Sequence, residues 1–333
     1  MNVKKLHMSL KISNFMIINN TVICFNSMHN LYVNFVKILE ICKKFSYGLI
    51  NDLGNIPRRG VVPRFSDLDV IALSLTAEHL GIDSENNLFD RLKEYQKDFR
   101  HLISRRQFND RRKNTYQLCE MIRKRIAKAM DGAEEYFCVD SKPIEVCRLS
   151  RGKRCKMGKD EPDKSPAFGY CATQGVYYYG YKLHAVCGLR GVIHSFDLTA
   201  ANVHDIHYMK DVKFEVSECS ILADRAYLSA ELQQDLFSSA HIKLEVPYRL
   251  NMKTWKPAFK PYAKTRKRIE TCFSQLCDHP MLIRNYATQT TGLFARITAK
   301  ISTFTVLQYI KLHKQQTTRT CQICIKLISP TSC

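Results

Sequence analysis

Apolar positions recur at two different periods along the chain, and the change from one to the other falls near residue 133. Upstream, Leu31, Phe35, Ile38 and Leu39 share one helical face. A Pro57-Arg58-Arg59-Gly60 break follows. Ser66 then reads as an N-cap with Asp67 and Asp69 in the first turn, and Leu68, Ile71, Ala72 and Leu75 form one apolar stripe ending near Gly81. Ser84 opens a shorter helix through Leu88 and Leu92. Ser104 and Gln107 match a capping box, which predicts a long basic helix stopping before Gly132.

Downstream the runs shorten and become β-branched and aromatic. Tyr136 to Val139, Tyr177 to Val186 and Val192 to Leu198 read as three successive strands. A helix from about Val203 to Lys213, a strand at Ile221 to Ala223, a helix from Ser229 to Ala240 and a strand from Ile242 to Val246 come next. Lys264 to Cys277 and Gly292 to Ile310 close the pattern as helices. This order predicts an α/β fold, a mixed β-sheet flanked by helices on both faces and preceded by a helical N-terminal region. The boundaries follow: residues 28–132 helical, 133–313 α/β, with 1–27 an upstream extension outside the fold and 314–333 a tail. Three helices of which the last is basic fit a helix-turn-helix DNA reader. A plain helical bundle explains the periodicity equally, and only the charge favours the former.

Charge sharpens that picture. The 333-residue chain carries 51 Lys+Arg against 31 Asp+Glu, a formal net charge of +20. Residues 91–130 hold 13 basic and 4 acidic side chains, residues 142–164 hold 8 and 4, and residues 251–270 hold 7 and 1. Almost the whole excess therefore sits in three stretches, which points to a polyanionic partner, nucleic acid first. Arg105, Arg106, Arg111 and Arg112 on the basic helix are candidate DNA contacts. The 14 cysteines show no paired metal-binding spacing beyond Cys321 and Cys324, so they read as reduced thiols in buried positions. Lys11, Asn14, Asn19 and Asn20 interrupt the N-terminal apolar run, which excludes a membrane span there.

Three acids carry the candidate chemistry. Asp140 follows the short strand Phe137-Cys138-Val139, and Asp224 follows Ile221-Leu222-Ala223. Each alone also reads as a turn residue; together, at matching strand ends, they can face one metal. Glu270 is the sole acid of its cationic stretch, on a helix whose buried stripe includes Ile269 and Phe273, one turn after Arg266. An intrahelical ion pair is the plain alternative for that glutamate. A hard-cation site beside a phosphate track is the functional one, with Mg²⁺ held by carboxylates and the polyanion by Lys and Arg.

Val139-Asp140-Ser141-Lys142-Pro143, Tyr179-Gly180-Tyr181-Lys182-Leu183-His184, Leu222-Ala223-Asp224-Arg225-Ala226-Tyr227 and Arg266-x3-Glu270 with Phe273-Ser274-Gln275-Leu276 together resemble the DDE transposases of bacterial insertion sequences. The set is most similar to insertion-sequence family nine-eight-two and covers roughly residues 28–313. The resemblance implies a ribonuclease H-like core, with Asp140, Asp224 and Glu270 binding two Mg²⁺ ions for which Mn²⁺ substitutes. It implies DNA strand cleavage at element ends and transfer of the 3′-hydroxyl into target DNA. It further implies double-stranded DNA as partner, a homodimer or higher oligomer on it, and a place at the nucleoid in the bacterial cytoplasm. Lys142, Lys182, His184, Arg225, Arg266 and Lys267 become candidate DNA contacts. Lys182 and His184 have matching parity on their strand and are expected on the active-site face, although a core histidine serves equally at 184. Asn202, His204 and Asp205 are expected to cap the next helix. Trp255 and Tyr262 are candidates to stack on an unpaired base. Cys277 stands where a broader related group carries Lys. Two rival classes remain: a ribonuclease H-like nuclease or junction resolvase without strand transfer, and a non-enzymatic DNA-binding regulator.

Overall fold

Local capping chemistry sets most of the helix starts in residues 1–109, one of two units into which the chain divides; the other is residues 110–333. The computed structural model describes residues 15–18, 21–24, 30–158, 161–247 and 262–328. Trp255 and the side chains of Tyr262, Cys321 and Cys324 lie outside the described set.

In the first unit β1 (Phe15–Ile18) pairs antiparallel with β2 (Thr21–Cys24). The helix α1 (Leu31–Phe45) starts where the Asn30 side chain accepts the Val33 N–H, and it buries Leu31, Phe35, Ile38 and Cys42. The second helix, α2 (Asp67–His79), opens on a complete capping box: Ser66 N–H donates to Asp69 at 2.8 Å and Asp69 N–H donates to Ser66 Oγ at 3.1 Å. Only one stripe of α2 is legible as apolar, yet Val70, Leu73, Thr76 and Glu78 are buried too, so this helix is enclosed on all sides. Next, α3 (Glu85–Leu92) is capped by Ser84, and α4 (Arg105–Asn114) by the expected Ser104/Gln107 box.

The long basic helix expected to reach residue 131 is in fact two helices. Thr115 is buried, and its hydroxyl donates to Arg111 O at 3.0 Å. That back-bond satisfies the end of α4, and α5 (Tyr116–Asp131) starts afresh. Although the charge pattern grouped α5 with the N-terminal region, it packs within the second unit. Cys119 Sγ donates to Ser302 Oγ at 3.4 Å, and the buried Arg123 guanidinium donates to the carbonyls of Ile193 and His194.

The second unit is built on β3 (Tyr136–Cys147), β4 (Ala167–Cys171), β5 (Val176–Gly188), β6 (Ile193–Ala200), α6 (Ile206–Val212), β7 (Ser220–Leu222), α7 (Ala230–Ala240), β8 (Lys243–Glu245), α8 (Tyr262–Asp278) and α9 (Thr290–Ile328). Strand β5 pairs antiparallel with β3 and β6, whereas β7 runs parallel to β3 and β8 parallel to β7. The resulting order β6-β5-β3-β7-β8 is a mixed, ribonuclease H-like sheet. A sixth strand, β4, forms a hairpin with the start of β5.

Alternation along the strands decides which helices cover which face. Cys138, Leu183, Ala185 and Leu222 pack with Ile269, Phe273 and Leu276 of α8 and Ile297 and Ile301 of α9. Their neighbours Phe137, Val139, Val186, Ile221 and Ala223 pack on Tyr208 and Met209 of α6 and Leu232 and Leu236 of α7. Each fully buried aliphatic or aromatic side chain here contributes roughly 1.5–3 kcal/mol, so a one-residue slip of register is heavily penalised. No helix among the described residues is long and apolar enough to cross a membrane.

Candidate active site

Asp140 lies within β3 rather than at its end. The strand continues to Cys147, through Pro143, because β7 has already left its side: the parallel ladder covers only Tyr136, Phe137 and Cys138. Beyond that ladder β3 has one open edge, where a proline without an N–H is tolerated. The ladder's last pair is Cys138 with Leu222, so two residues further along each chain Asp140 comes abreast of Asp224. Both share parity with Cys138 and Leu222, and so belong to the face that α8 covers. On α8 itself, Ile269, Cys272, Phe273 and Leu276 are buried in that face, and this packing brings Glu270 to the same edge.

Arg266 ties the acids together. Its guanidinium lies 3.3 Å from Asp224 Oδ1, and its Nε donates to Glu270 Oε1 at 3.4 Å. The intrahelical pair with Glu270 is therefore present, and the same arginine also reaches Asp224. Cys138, Val139, Asp140, Leu222, Ala223, Asp224 and Arg266 line a cleft between the two strands. Burial pushes the Asp140 carboxyl above its ordinary pKa, and the neighbouring charges of Asp224 and Glu270 push the same way. The Ser141 N–H, donating to it at 2.8 Å, and Arg266 act against them. The three carboxylates thus feel one another. They are not gathered into a closed ligand set, since no three His, Cys, Asp or Glu side chains among the described residues share a metal-binding position. Their chemistry nevertheless fits a hard divalent cation: the donors are carboxylate oxygens from two adjacent strands and a helix.

The candidate DNA contacts fall into three groups. Arg225 and Lys267 are exposed beside Asp224 and Glu270, and Arg105 and Arg106 are exposed on α4, where Arg105 lies 3.9 Å from Glu85. Lys142 shares the α8 face, and its positive charge acts on the Cys277 thiol there, opposing the upward push of burial. Arg111 is half-buried, Arg112 is buried, and Arg266 is engaged by the acids.

Lys182 and His184 correct the parity expectation. Asp140 pairs with Ala185, so Lys182 and His184 align with Pro143 and Ser141 and point to the opposite, α6 side of the sheet. There Lys182 Nζ meets Asp205 Oδ1 at 2.6 Å, and Ser141 Oγ donates to Asp205 Oδ2 at 3.3 Å. Asp205 does occupy the cap position of α6, but its side chain makes no cap bond. His184 is fully buried, stacked on Tyr208 at 5.0 Å and hydrogen-bonded to Thr199 at 2.8 Å. Burial pushes its pKa down to about 4, Lys182 adding to the effect and Asp205 opposing it. The Tyr227 hydroxyl is buried with no hydrogen-bond partner among the described residues; its pKa is raised by burial, then by Asp205, Asp140 and Asp224. No local spacing marks Asp205 as a neighbour of the site, because its contact with Lys182 forms only when β5 and the turn before α6 meet.

A mixed sheet of this strand order, with acids abreast on two neighbouring parallel strands and a third on the helix packed over them, is a ribonuclease H-like fold. Residues 131–304, just over half of the chain, match the transposase DDE domain family. The chain belongs to that family, whose members act on DNA as transposases. No curated protein and no solved structure matches it.

Proposed function

We propose that this chain is an insertion-sequence transposase that cuts DNA at the ends of its element and joins the freed 3′-hydroxyl to target DNA in the presence of Mg²⁺ or Mn²⁺. The observation that carries the reading is the alignment of Asp140 with Asp224 on the face where α8 supplies Glu270 and Arg266. Asp140, Asp224 and Glu270 would hold the divalent ions. When bound, such ions activate an attacking oxygen and neutralise charge on the leaving one.

Within this scheme the chain's own groups position the phosphodiester. Arg225 and Lys267 flank the acids and clamp the phosphates on either side of the scissile bond, while Lys142 adds positive charge along the same face. Arg266, now paired with Asp224 and Glu270, would turn to a phosphate oxygen once those carboxylates held a cation. Water's oxygen bonds to phosphorus as the P–O3′ bond breaks, leaving a 3′-hydroxyl and a 5′-phosphate. That hydroxyl then attacks a target phosphodiester, and the displaced target 3′-oxygen takes up the proton. The exposed arginines of α4 serve recognition of the terminal inverted repeats, and the reaction on two element ends calls for a homodimer or higher oligomer on DNA at the bacterial nucleoid.

An intact and a pre-cut element end, each incubated with target plasmid and Mg²⁺, test the reading. Joined product is expected from the native chain, and Asp140→Asn should lose both cutting and joining while still binding DNA. Cutting without joining would leave a nuclease or resolvase. DNA binding with cutting unaffected by the substitution would remove the acids from the chemistry.

A further inference from the structure

The hairpin of β4 and β5 carries an aromatic ladder that none of the chemistry above uses. Phe168 is in register with Tyr179, and Tyr170 with Tyr177; in each pair the ring centroids lie 4.8 Å apart. Alternation puts all four on one face. Tyr170 and Tyr177, nearest the turn, are 55% and 68% exposed, and Phe168 is 45% exposed. An exposed row of this kind costs hydration free energy unless something covers it.

A basic turn lies against the same face. Residues 148–158 contain five Lys and Arg and no Asp or Glu. In the helical turn Leu149–Arg154, Gly152 is buried under the ladder: a Cβ there would come within 2.7 Å of the Phe168 ring and 3.0 Å of Tyr179. The missing side chain lets the turn seat on the Phe168 and Tyr179 rings, and Arg151, Lys153 and Arg154 of that turn are exposed. Flat rings flanked by cations match unpaired nucleotides, whose bases stack while their phosphates meet the cations. Duplex DNA offers the phosphates but keeps its base faces stacked internally.

We propose that this hairpin and turn form a binding site for single-stranded nucleotides, with bases stacked on Tyr170 and Tyr177 and the backbone held by Arg151, Lys153 and Arg154. This rests on the reading of the chain as a DNA-processing enzyme and adds to it a grip on the unpaired stretch at a cut or opened end. Fluorescence anisotropy with the full chain tests it, comparing a blunt duplex with the same duplex bearing a six-nucleotide single-stranded overhang. The native chain is expected to bind the overhang duplex roughly tenfold more tightly or better. Tyr170→Leu with Tyr177→Leu should erase that preference and leave blunt-duplex affinity unchanged, whereas Tyr170→Phe with Tyr177→Phe should keep it. Should the leucine pair fail to fold by circular dichroism, Arg151→Ala with Arg154→Ala gives an independent reading: overhang affinity falls and its log–log salt slope shrinks by about 1.4. Equal native affinity for both duplexes, or a preference that survives these substitutions, overturns the proposal while the transposase reading stands. Failure to bind either duplex overturns both. A leucine pair that turns an oligomer into a monomer in sedimentation, with the overhang preference intact, also overturns it and assigns the face to contact between protomers.

Discussion

The two faces of the central sheet draw alternate residues from the same strands and treat charge in opposite ways. On the α8 face Asp140 sits beside Asp224 and Glu270, with one arginine shared among them, and its carboxyl is pushed above the ordinary range. One residue along, on the α6 face, charge is paired: Lys182 and Asp205 are joined at 2.6 Å, each about one-fifth exposed, and His184 is kept neutral by burial. The first arrangement leaves carboxylate charge only partly offset; the second pairs it across the strand. Ser141 joins them, donating its N–H to Asp140 and its hydroxyl to Asp205.

Substitution on the two faces should therefore separate activity from stability. The largest effect is expected from Asp140→Asn, with cleavage falling on the order of 10³-fold or more. Its raised folded-state pKa means that the ionised group costs stability at neutral pH, so the thermal midpoint of this variant should equal or exceed that of the native chain. A clear drop in midpoint would make Asp140 a structural residue. Lys182→Met should do the reverse, destabilising the fold by about 2–4 kcal/mol in urea titration because Asp205 is left without its partner. If Lys182→Met unfolds at the same urea concentration as the native chain, the ion pair contributes nothing and the contrast fails.

A pH titration sharpens the same comparison. His184 has a folded pKa of about 4, below its ordinary value of 6.5, so the unfolded chain takes up the proton first. Its stabilising contribution is complete above pH 6.5 and is lost as pH falls towards 4, with a slope of up to ~1.4 kcal/mol per pH unit. Replacing His184 by Gln should flatten stability against pH over that window. An unchanged profile would mean that His184 titrates normally. The smallest effect is expected from Ser141→Ala, about 1 kcal/mol from the lost hydroxyl bond to Asp205, measurable as a shift in urea midpoint.

Much of this was legible in sequence because the signals are local. The short apolar runs before Asp140 and Asp224, and the buried stripe on either side of Glu270, single these acids out as candidates. The Ser66 and Ser104 caps were equally plain. Most of what sequence does not announce depends on pairing between distant segments. The facing of Lys182 and His184 is set by which β5 residue lies opposite Asp140, and an error of one position reverses it. Strand β4 is short, contains Gly169 and is held by its hairpin partner, so no periodic run announces it. Gly169 itself sits against Ala201, at the junction where β4 gives way to β6 along the edge of β5. The break at Thr115 turns on one hydroxyl reaching back a turn, within a stretch whose charge and apolar spacing otherwise continue unbroken.

The central claim is that residues 140, 224 and 270 act as a single unit. Single-turnover cleavage of an element-end duplex measures this most directly, using Asp140→Asn, Asp224→Asn, Glu270→Gln and the triple variant. If the acids work together, each single substitution should cost about as much as all three. Three independent losses that multiply in the triple variant, or any single variant cutting at the native rate, would contradict it.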